Sequence, residues 1–290
     1  KKILNLFNKI QKIKLSNSAK EILNISLLTN SYFPQKNISN EQFLKIKSDW
    51  LIQNGDLQLM QDYLIKNQNV NENLKLTKFL VDEYLSKSEL KKACDVFSKI
   101  NEAINDDYLV KFNLYCLINA NEREEAQLQF DLKKELGFKD EFFEEKFNYL
   151  MGYETKISKK ISEKSILDFH LSHRTNSEFK YEPNELTAKN IWQYLSTSNL
   201  LDSIENVDLE DQSKIILIEK ATHERNYTEK ELYNLYKRFQ FNINQLLSVK
   251  QSYKLLSKVE ARALIYQGIL ITSEIEPKLE LIKILKDLFI

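Results

Sequence analysis

The chain has 290 residues, and its 4 Gly and 3 Pro are too few for the many tight turns of a sandwich, barrel or propeller. Its 42 basic and 42 acidic residues give a net charge of zero. The two kinds of charge are interleaved along the chain, which excludes the basic patch that nucleic-acid binding requires. The composition therefore predicts an all-α protein without a nucleic-acid partner.

Apolar runs such as 215–218 and 264–271 are short or interrupted. Both are far shorter than the roughly 20 residues that a membrane-spanning helix needs, so we expect no membrane insertion of this segment. The chain begins with Lys1 and ends within an apolar helical pattern at 279–290. We expect it to be a fragment or a processed form.

Residues 1–36 are expected to form an N-terminal helical cap, and residues 37–152 regular helix-pair repeats. The evidence for repeats is an alignment of the chain with itself at an offset of 33 residues. This offset pairs five positions of similar chemistry: Leu76 with Leu109, Phe79 with Phe112, Glu89 with Glu122, Ala93 with Ala126, and Phe97 with Phe130. A looser unit precedes them, with Met60 at the position of the two alanines.

Each of the three units is predicted to consist of a helix, a short polar turn and a second helix. The predicted helices are 42–53 and 56–66, 75–85 and 89–100, and 108–120 and 122–136. This spacing is typical of tetratricopeptide-like helix pairs. The predicted fold is therefore an α-solenoid of antiparallel helix pairs that winds into a right-handed superhelix.

Helix-terminating residues support these boundaries. Ser39 with Gln42 forms a capping box, while Gly55 and Gly137 provide left-handed ends for their helices. The small residues Ala93 and Ala126 let the paired helices approach closely.

Residues 153–290 are predicted to continue the superhelix as degenerate helical repeats. The expected helices are 162–173, 186–197, 208–226, 229–239, 242–247, 258–272 and 277–290. Thr228 with Glu231 and Ser257 with Glu260 match the capping box, and Pro277 is placed at the first helical position. The polar segment 174–184 is predicted to be a long loop that separates two lobes.

Cys94 and Cys116 are the only cysteines, and they lie at equal distances from residue 105, within the predicted turn 101–107. Antiparallel helices joined by that turn bring the two side chains to the same height in the shared core. They are candidate disulfide partners. The alternative is a pair of buried free thiols that pack as small hydrophobic groups.

No catalytic, cofactor-binding or metal-binding residue is predicted. His170 and His173 share a helix face with Asp168 nearby, but three ligands on one turn make an incomplete metal site. The segment 176–183, which contains Glu178 and Glu182, superficially resembles the surroundings of the catalytic acid in lytic transglycosylases. The order Ser-Glu is reversed and the following Gly-rich segment is absent, so both are expected to be loop carboxylates in water.

Short segments distributed over most of the chain carry a family resemblance: Gly55-Asp56, Ala93-Cys94, Cys116, Ala126, 135–138, 140–143, 150–152, 169–171, 218–221, 232–236 and 262–267. In these segments the chain resembles an α-proteobacterial family of exported helical-repeat proteins labelled "antifreeze glycopeptide polyprotein". The family is rich in Ala, Leu and Arg, whereas this chain is rich in Lys, Asn and Ile. The resemblance implies a periplasmic location and no known catalytic residues.

The expected function is a non-enzymatic scaffold that presents a concave surface, with exposed Tyr, Lys and Asn side chains, to a protein partner in an envelope assembly. Two alternatives stay open. In the first, the chain is an accessory superhelix of a peptidoglycan-active enzyme such as a lytic transglycosylase. In the second, it is a cytoplasmic tetratricopeptide-like adaptor. A bonded cysteine pair favours the periplasm, and two free thiols favour the cytoplasm.

Overall fold

The computed structural model of the protein describes residues 2–10, 12–29, 36–67, 71–98 and 103–289. In this part of the chain every regular element is a helix and no strand is present, which confirms the predicted all-α class. The chain divides into two compact units, Lys1–Phe179 and Lys180–Ile290. The division lies within the segment 174–184. The limits at residues 36 and 152 remain predictions.

The first unit contains ten helices within the residues described: α1 (Lys2–Ile10), α2 (Asn17–Leu28), α3 (Asn40–Asn54), α4 (Leu57–Asn67), α5 (Leu74–Ser86), α6 (Leu90–Asp95), α7 (Asp107–Asn119), α8 (Arg123–Glu135), α9 (Glu141–Met151) and α10 (Ile166–Arg174). Their order follows the predicted helix pairs from α3 to α8.

The second unit contains seven α-helices and two 3₁₀ turns in the region described: α11 (Lys189–Thr197), η1 (Ile204–Asn206), α12 (Gln212–His223), α13 (Glu229–Arg238), α14 (Ile243–Leu247), α15 (Val249–Ser252), η2 (Tyr253–Leu255), α16 (Lys258–Ile271) and α17 (Ile275–Asp287). η1, α15 and η2 are not among the predicted elements.

The three predicted capping boxes are confirmed. The side chains of Ser39, Thr228 and Ser257 each accept a hydrogen bond from the backbone N–H three residues further on. The side chain of that later residue accepts one from the backbone N–H of the capping residue. Each pair satisfies two backbone donors that a helix start leaves free. Asn242 with Gln245 forms a fourth capping box, at the start of α14.

The turns inside the three helix pairs share one backbone conformation at a spacing of 33 residues. Gly55, Ser88 and Asn121 all have positive φ, at 72°, 59° and 65°. After Ser88 and Asn121, the next N–H closes the same hydrogen bond, from Glu89 to the Tyr84 carbonyl and from Glu122 to the Leu117 carbonyl. The recurring left-handed residue ends the first helix of each pair and turns the chain back.

Polar contacts between successive helix pairs recur at nearly the same spacing. Lys75 pairs with Asp49 at 2.6 Å, and the residues 33 positions later, Tyr108 and Asp82, are joined by a hydrogen bond. Lys78 pairs with Asp106 at 2.6 Å. Its counterpart is the 2.8 Å contact between Lys111 and Asp140. Equivalent side chains thus link each helix pair to the next.

The residues that define the 33-residue offset lie mostly in the core. Leu76, Leu109, Ala93 and Ala126 are fully buried, as is Met60 in the first pair. Phe97 and Phe130 are also buried, and Phe97 stacks on Phe112 with ring centroids 5.7 Å apart. Packing between helices therefore uses the predicted apolar positions.

The second helix of the middle pair is shorter than predicted. α6 ends at Asp95 instead of residue 100, and residues 96–98 form a turn. The Ser98 hydroxyl donates to the Asp95 carbonyl at 2.8 Å, so the side chain takes the acceptor that a continuing helix would use. Residues 99–102, which include the last part of this predicted helix and the start of the predicted turn, lie outside the described residues.

Other boundaries also differ. α10 begins at Ile166, because Ser165 caps it by accepting the Asp168 N–H, and not at residue 162. α17 begins at Ile275, which places Pro277 at the third helical position and not the first. α10 also packs against α5, a helix far away in sequence. In a one-dimensional stack each repeat contacts only its neighbours, so this contact departs from that rule.

The second unit is organised around a buried ion pair. Arg262 on α16 donates two hydrogen bonds to the Glu219 carboxylate on α12, at 2.9 and 2.6 Å, and a third to the Leu288 carbonyl at 3.1 Å. The Tyr236 hydroxyl on α13 donates to the same carboxylate at 2.6 Å. One side-chain cluster therefore joins four helical segments.

Candidate functional site

The two cysteines lie next to each other. The sulfur atoms of Cys94 on α6 and Cys116 on α7 are 2.05 Å apart, at the distance of a disulfide bond, and their Cα atoms are 5.4 Å apart. Cys116 is buried and Cys94 is half-buried. The structure therefore agrees with the bonded pair and not with two separate thiols.

A groove of about 680 Å³ lies between α6, α7 and α8, and both cysteines contribute to its wall. The segment before α7 contributes Ala103 and Ile104. Six of the other twelve lining side chains are apolar, among them Phe97, Val110, Leu117, Leu132 and Leu136. The groove therefore has a partly apolar wall with polar side chains such as Asp95 and Lys133 among its lining.

A row of exposed leucines continues this groove along α8 and its end. Leu128, Leu132 and Leu136 are 56%, 50% and 80% exposed and follow each other at intervals of four residues. Ala126 and Phe130 on the same helix are buried. Successive residues of a helix are rotated by 100°, so the leucines lie on the side opposite the buried pair. We call these three residues the leucine stripe.

Polar contacts fix α8 at the edge of the groove. The Lys133 ammonium donates to the Ile104 carbonyl at 2.6 Å, and the Asn113 amide donates to Gln129 at 3.0 Å. On its other side, Phe130 packs against Phe143 and Phe147, with centroids 6.1 and 4.3 Å away. The leucine stripe is therefore presented by a helix that is anchored on both sides.

A buried polar cluster lies elsewhere in the first unit. The Lys111 ammonium on α7 contacts Asp140 at 2.8 Å and Asp168 on α10 at 3.1 Å. Asp168 is only 3% exposed. Burial by itself lowers the pKa of Lys111, but the two carboxylates outweigh it and the net shift is upward. The ammonium thus stays charged and holds α7 against α9 and α10.

Asp82 on α5 accepts a hydrogen bond from Tyr108. Burial raises the pKa of Asp82 to about 6, although the Tyr108 hydrogen bond and the nearby Lys78 act in the opposite direction. Burial and the Asp82 charge also raise the pKa of Tyr108, so its hydroxyl remains a hydrogen-bond donor. These groups are engaged with each other, which is the behaviour of a structural contact between helices.

The structure places the two histidines that were considered as metal ligands in different surroundings. His173 is half-buried, with its ring centroid 5.0 Å from that of Phe179. His170 is buried, and its Nε2 shares a 2.8 Å hydrogen bond with the Tyr115 hydroxyl. Burial, with the charges of Arg174 and His173, lowers the pKa of His170 to about 3. Asp168 is engaged with Lys111. In the part of the chain that the structure describes, no group of three or more His, Cys, Asp or Glu side chains is arranged to hold a metal ion.

The two glutamates compared with a catalytic acid lie in separate units. Glu178 in the first unit is exposed and pairs with Lys159. The hydrogen bond and charge of Lys159 lower the pKa of Glu178, which is the opposite of what a general acid requires. Glu182 is an exposed residue of the second unit and lines a cavity there.

The leucine stripe is not among the exposed Tyr, Lys and Asn contacts expected from the sequence. A signal for it is nonetheless present. In α8 the apolar series Ala126, Phe130 and the series Leu128, Leu132, Leu136 are offset by two residues. Two such series cannot share one helix face, so one of them must lie outside the core.

Comparisons of the chain with protein-family models, with curated protein sequences and with solved structures find no match. The helices that the structure describes include none with the length and apolar character needed to cross a membrane.

Proposed function

We propose that the protein is a non-enzymatic helical-repeat scaffold, and that it binds a protein partner of the bacterial cell envelope in the groove between α6, α7 and α8. The observation that carries this proposal is the leucine stripe beside the groove. Contiguous exposed apolar side chains are typical of protein interaction sites, because water contact with them is unfavourable.

A tetratricopeptide-like α-solenoid with a right-handed superhelix is part of this proposal. Support comes from the left-handed residues at positions 55, 88 and 121 and from the linking contacts that recur about 33 residues apart. In such a fold neighbouring helix pairs create extended surfaces from several segments. The groove has this character, since two successive pairs contribute to it.

We propose an amphipathic helix of the partner as the occupant of the groove. From Leu128 to Leu136 the leucine stripe advances by eight residues, which corresponds to about 12 Å along the helix axis. This length corresponds to two turns of a second helix, whose apolar side chains at intervals of three and four residues fit a groove of this kind. Asp95, Glu122 and Lys133 line the groove as well and provide polar contacts at its margin.

The proposed compartment is the periplasm. Disulfide bonds persist in oxidising compartments, and Cys94 and Cys116 lie at bonding distance. The resemblance to exported helical-repeat proteins supports the same location. A thiol assay on denatured protein, isolated from its native cells without reductant, should find no free sulfhydryl group. Two reactive thiols would favour the cytoplasmic adaptor instead.

The binding proposal is tested by affinity capture from envelope extracts with three forms of the protein. These are the natural chain, the Leu132→Asp/Leu136→Asp double variant and, as a control, Leu255→Asp at a strongly exposed leucine of the second unit. Circular dichroism verifies that all three are folded. Bound proteins are quantified by mass spectrometry.

We expect the natural chain and the control to retain the same partner protein in similar amounts. The double variant should retain at least about tenfold less of it, because two leucine contacts that are buried on binding contribute several kcal/mol. Retention of the same proteins by all three forms would contradict the proposal. Failure of the natural chain to enrich any protein would contradict it as well.

A further inference from the structure

The helix α17 of the second unit has apolar side chains on two different faces. One face packs into the core of the unit and includes Leu281, which is buried, and Ile284. The other face carries Ile275, Leu279 and Ile282, which are 74%, 58% and 45% exposed. The core of the unit uses only the first face, so the second is available for contact with another molecule.

The exposed face follows the heptad spacing of a coiled coil. Four residues separate Ile275 from Leu279, three separate Leu279 from Ile282, and Lys286 follows four residues later. These alternating intervals keep the four side chains in one narrow strip along the helix, which we call the heptad stripe. A single lysine within such a strip fixes the alignment of two paired helices. The spacing therefore indicates another helix as the partner.

The apolar surface continues at the end of α16. Leu270 and Ile271 are exposed there, and only residues 272–274 connect α16 to α17. The two helices pack on each other, so the end of α16 lies beside the start of α17. Single exposed apolar side chains are normal on a protein surface, but five in one region are typical of an interaction site.

The charges beside the heptad stripe determine how a second α17 can lie against it. Glu276 and Lys283 are exposed, and each comes one residue after an apolar member of the stripe, so both lie on the same flank. Lys278 comes one residue before a member and lies on the opposite flank. In a parallel pair opposite flanks meet, which would bring Lys278 of one helix against Lys283 of the other. In an antiparallel pair equal flanks meet, and Glu276 of each helix attracts Lys283 of the other.

We propose that a second copy of this chain binds the heptad stripe, with the two α17 helices antiparallel about a two-fold axis. Such an axis joins the same surface of both copies, so the attraction between Glu276 and Lys283 occurs twice. Lys286 of each copy lies opposite Ile275 of the other, close to the exposed Glu274 at the start of that helix. A surface that is complementary to itself in this way favours a second copy over an unrelated protein. This interface is independent of the groove in the first unit.

Sedimentation equilibrium of the purified chain at about 1 to 300 μM tests the proposal. The stripe extends over only about three helical turns, which gives an interface at the small end of the known range, so we expect a Kd of about 10 to 100 μM. The mean mass should rise with concentration from 34.4 kDa towards twice this value. A mass of 34.4 kDa at every concentration would overturn the proposal, because a different molecule would then have to cover the stripe.

The Leu279→Glu/Ile282→Glu variant locates the interface. It brings four carboxylates together at the centre of the antiparallel pair and should raise the Kd by about thirtyfold or more. The matched control Ile243→Glu/Leu247→Glu introduces the same charges at two exposed residues of α14 and should change the Kd by no more than about twofold. Circular dichroism verifies that both variants are folded. An equal loss of association in the two variants would overturn the proposal.

Charge reversal tests the antiparallel arrangement. Glu276→Lys and Lys283→Glu each place like charges opposite one another at two symmetric positions, and each should raise the Kd by about fivefold. The combined variant exchanges the signs and restores the attraction, so its Kd should lie within about twofold of that of the natural chain. A combined variant that associates more weakly than either single variant would overturn the proposal.

Discussion

The two units of the chain hold their helices together in different ways. In the first unit, contacts such as Lys78–Asp106 recur between successive helix pairs, and their exposure varies, since Lys78–Asp106 is partly exposed whereas Lys111–Asp168 is buried. In the second unit, Arg262 and Glu219 form one buried, doubly hydrogen-bonded pair that also engages Tyr236 and the end of α17. Both units are helical, but the first unit repeats its linking contacts from one helix pair to the next, whereas the second joins four helical segments at one cluster.

This difference predicts how much a single substitution lowers the folding stability of each unit. Exposed ion pairs contribute little to folding, because water screens the charges and the side chains lose freedom. Removing one partner of a buried pair leaves a charge without compensation.

The chain has two tryptophans, Trp50 in the first unit and Trp192 in the second. Their fluorescence can therefore report on the unfolding of each unit separately.

The largest effect is expected from Arg262→Met in the second unit. The substitution leaves the Glu219 carboxylate buried without its cation, and we expect the free energy of unfolding of this unit to fall by about 3 to 5 kcal/mol. Denaturant titration in a Trp50→Phe background follows the change through Trp192. Arg225→Met, at an exposed position, is the matched control and should have little effect.

An equal shift of the Trp50 signal, measured in a Trp192→Phe background, would contradict the separation of the two units. In that case Arg262 would stabilise the chain as a whole.

The next prediction compares two equivalent lysines of the first unit, 33 residues apart. Lys111→Met removes the partner of the buried Asp168 and should lower the free energy of unfolding by about 3 kcal/mol. Lys78→Met breaks a partly exposed pair and should cost about 1 kcal/mol or less. Chemical denaturation followed through Trp50 measures both. Similar losses in the two variants would mean that exposure does not distinguish these contacts.

The Cys94–Cys116 pair should contribute about 2 to 3 kcal/mol to the first unit, since a bond across a sequence separation of 22 restricts the unfolded chain. Cys94→Ser/Cys116→Ser should lower the denaturation midpoint by a corresponding amount. Reductant should produce a similar loss in the natural chain and none in the variant. A natural chain that is insensitive to reductant under unfolding conditions would show that the sulfurs are not bonded.

A smaller effect is expected from the titration of His170, whose pKa in the folded chain is about 3. Between this value and its ordinary pKa of 6.5 the unfolded chain binds more protons, so the free energy of unfolding decreases as the pH falls through this range. We expect a loss of about 2 kcal/mol from pH 7 to pH 5 relative to His170→Gln.

Asp82 acts in the opposite direction. Because its pKa is raised to about 6, the folded chain binds more protons between pH 4 and 6, and stability decreases as the pH rises. Asp82 is present in both the natural chain and His170→Gln, so the difference between their pH profiles isolates the histidine. Parallel profiles would show that His170 does not change its pKa on folding.

The sequence predicts the helical class, most helices and the three capping boxes, because these depend on local composition and on residues three or four positions apart. The 33-residue offset also identifies core positions such as Leu76, Leu109 and Ala126. Cys94 and Cys116 are equally far from residue 105 in the turn between two antiparallel helices. This spacing predicts that they lie side by side, as the structure shows.

Features that depend on contacts between distant residues could not be predicted in this way. The buried partners Lys111 and Asp168, for example, are 57 residues apart. The packing of α10 against α5 is likewise not encoded in a local pattern. The leucine stripe follows from two apolar series on one helix, but which series is exposed depends on the position of α9 beside Phe130.

Hydrogen–deuterium exchange of the natural chain, with and without the captured partner protein, tests the central claim most directly. A helix bound in the groove excludes water from the leucine stripe and stabilises the helices around it. We predict slower amide exchange in residues 103–136, centred on α8, with little change in residues 180–289. Slower exchange confined to the second unit, or no change near α8, would contradict the proposed binding groove.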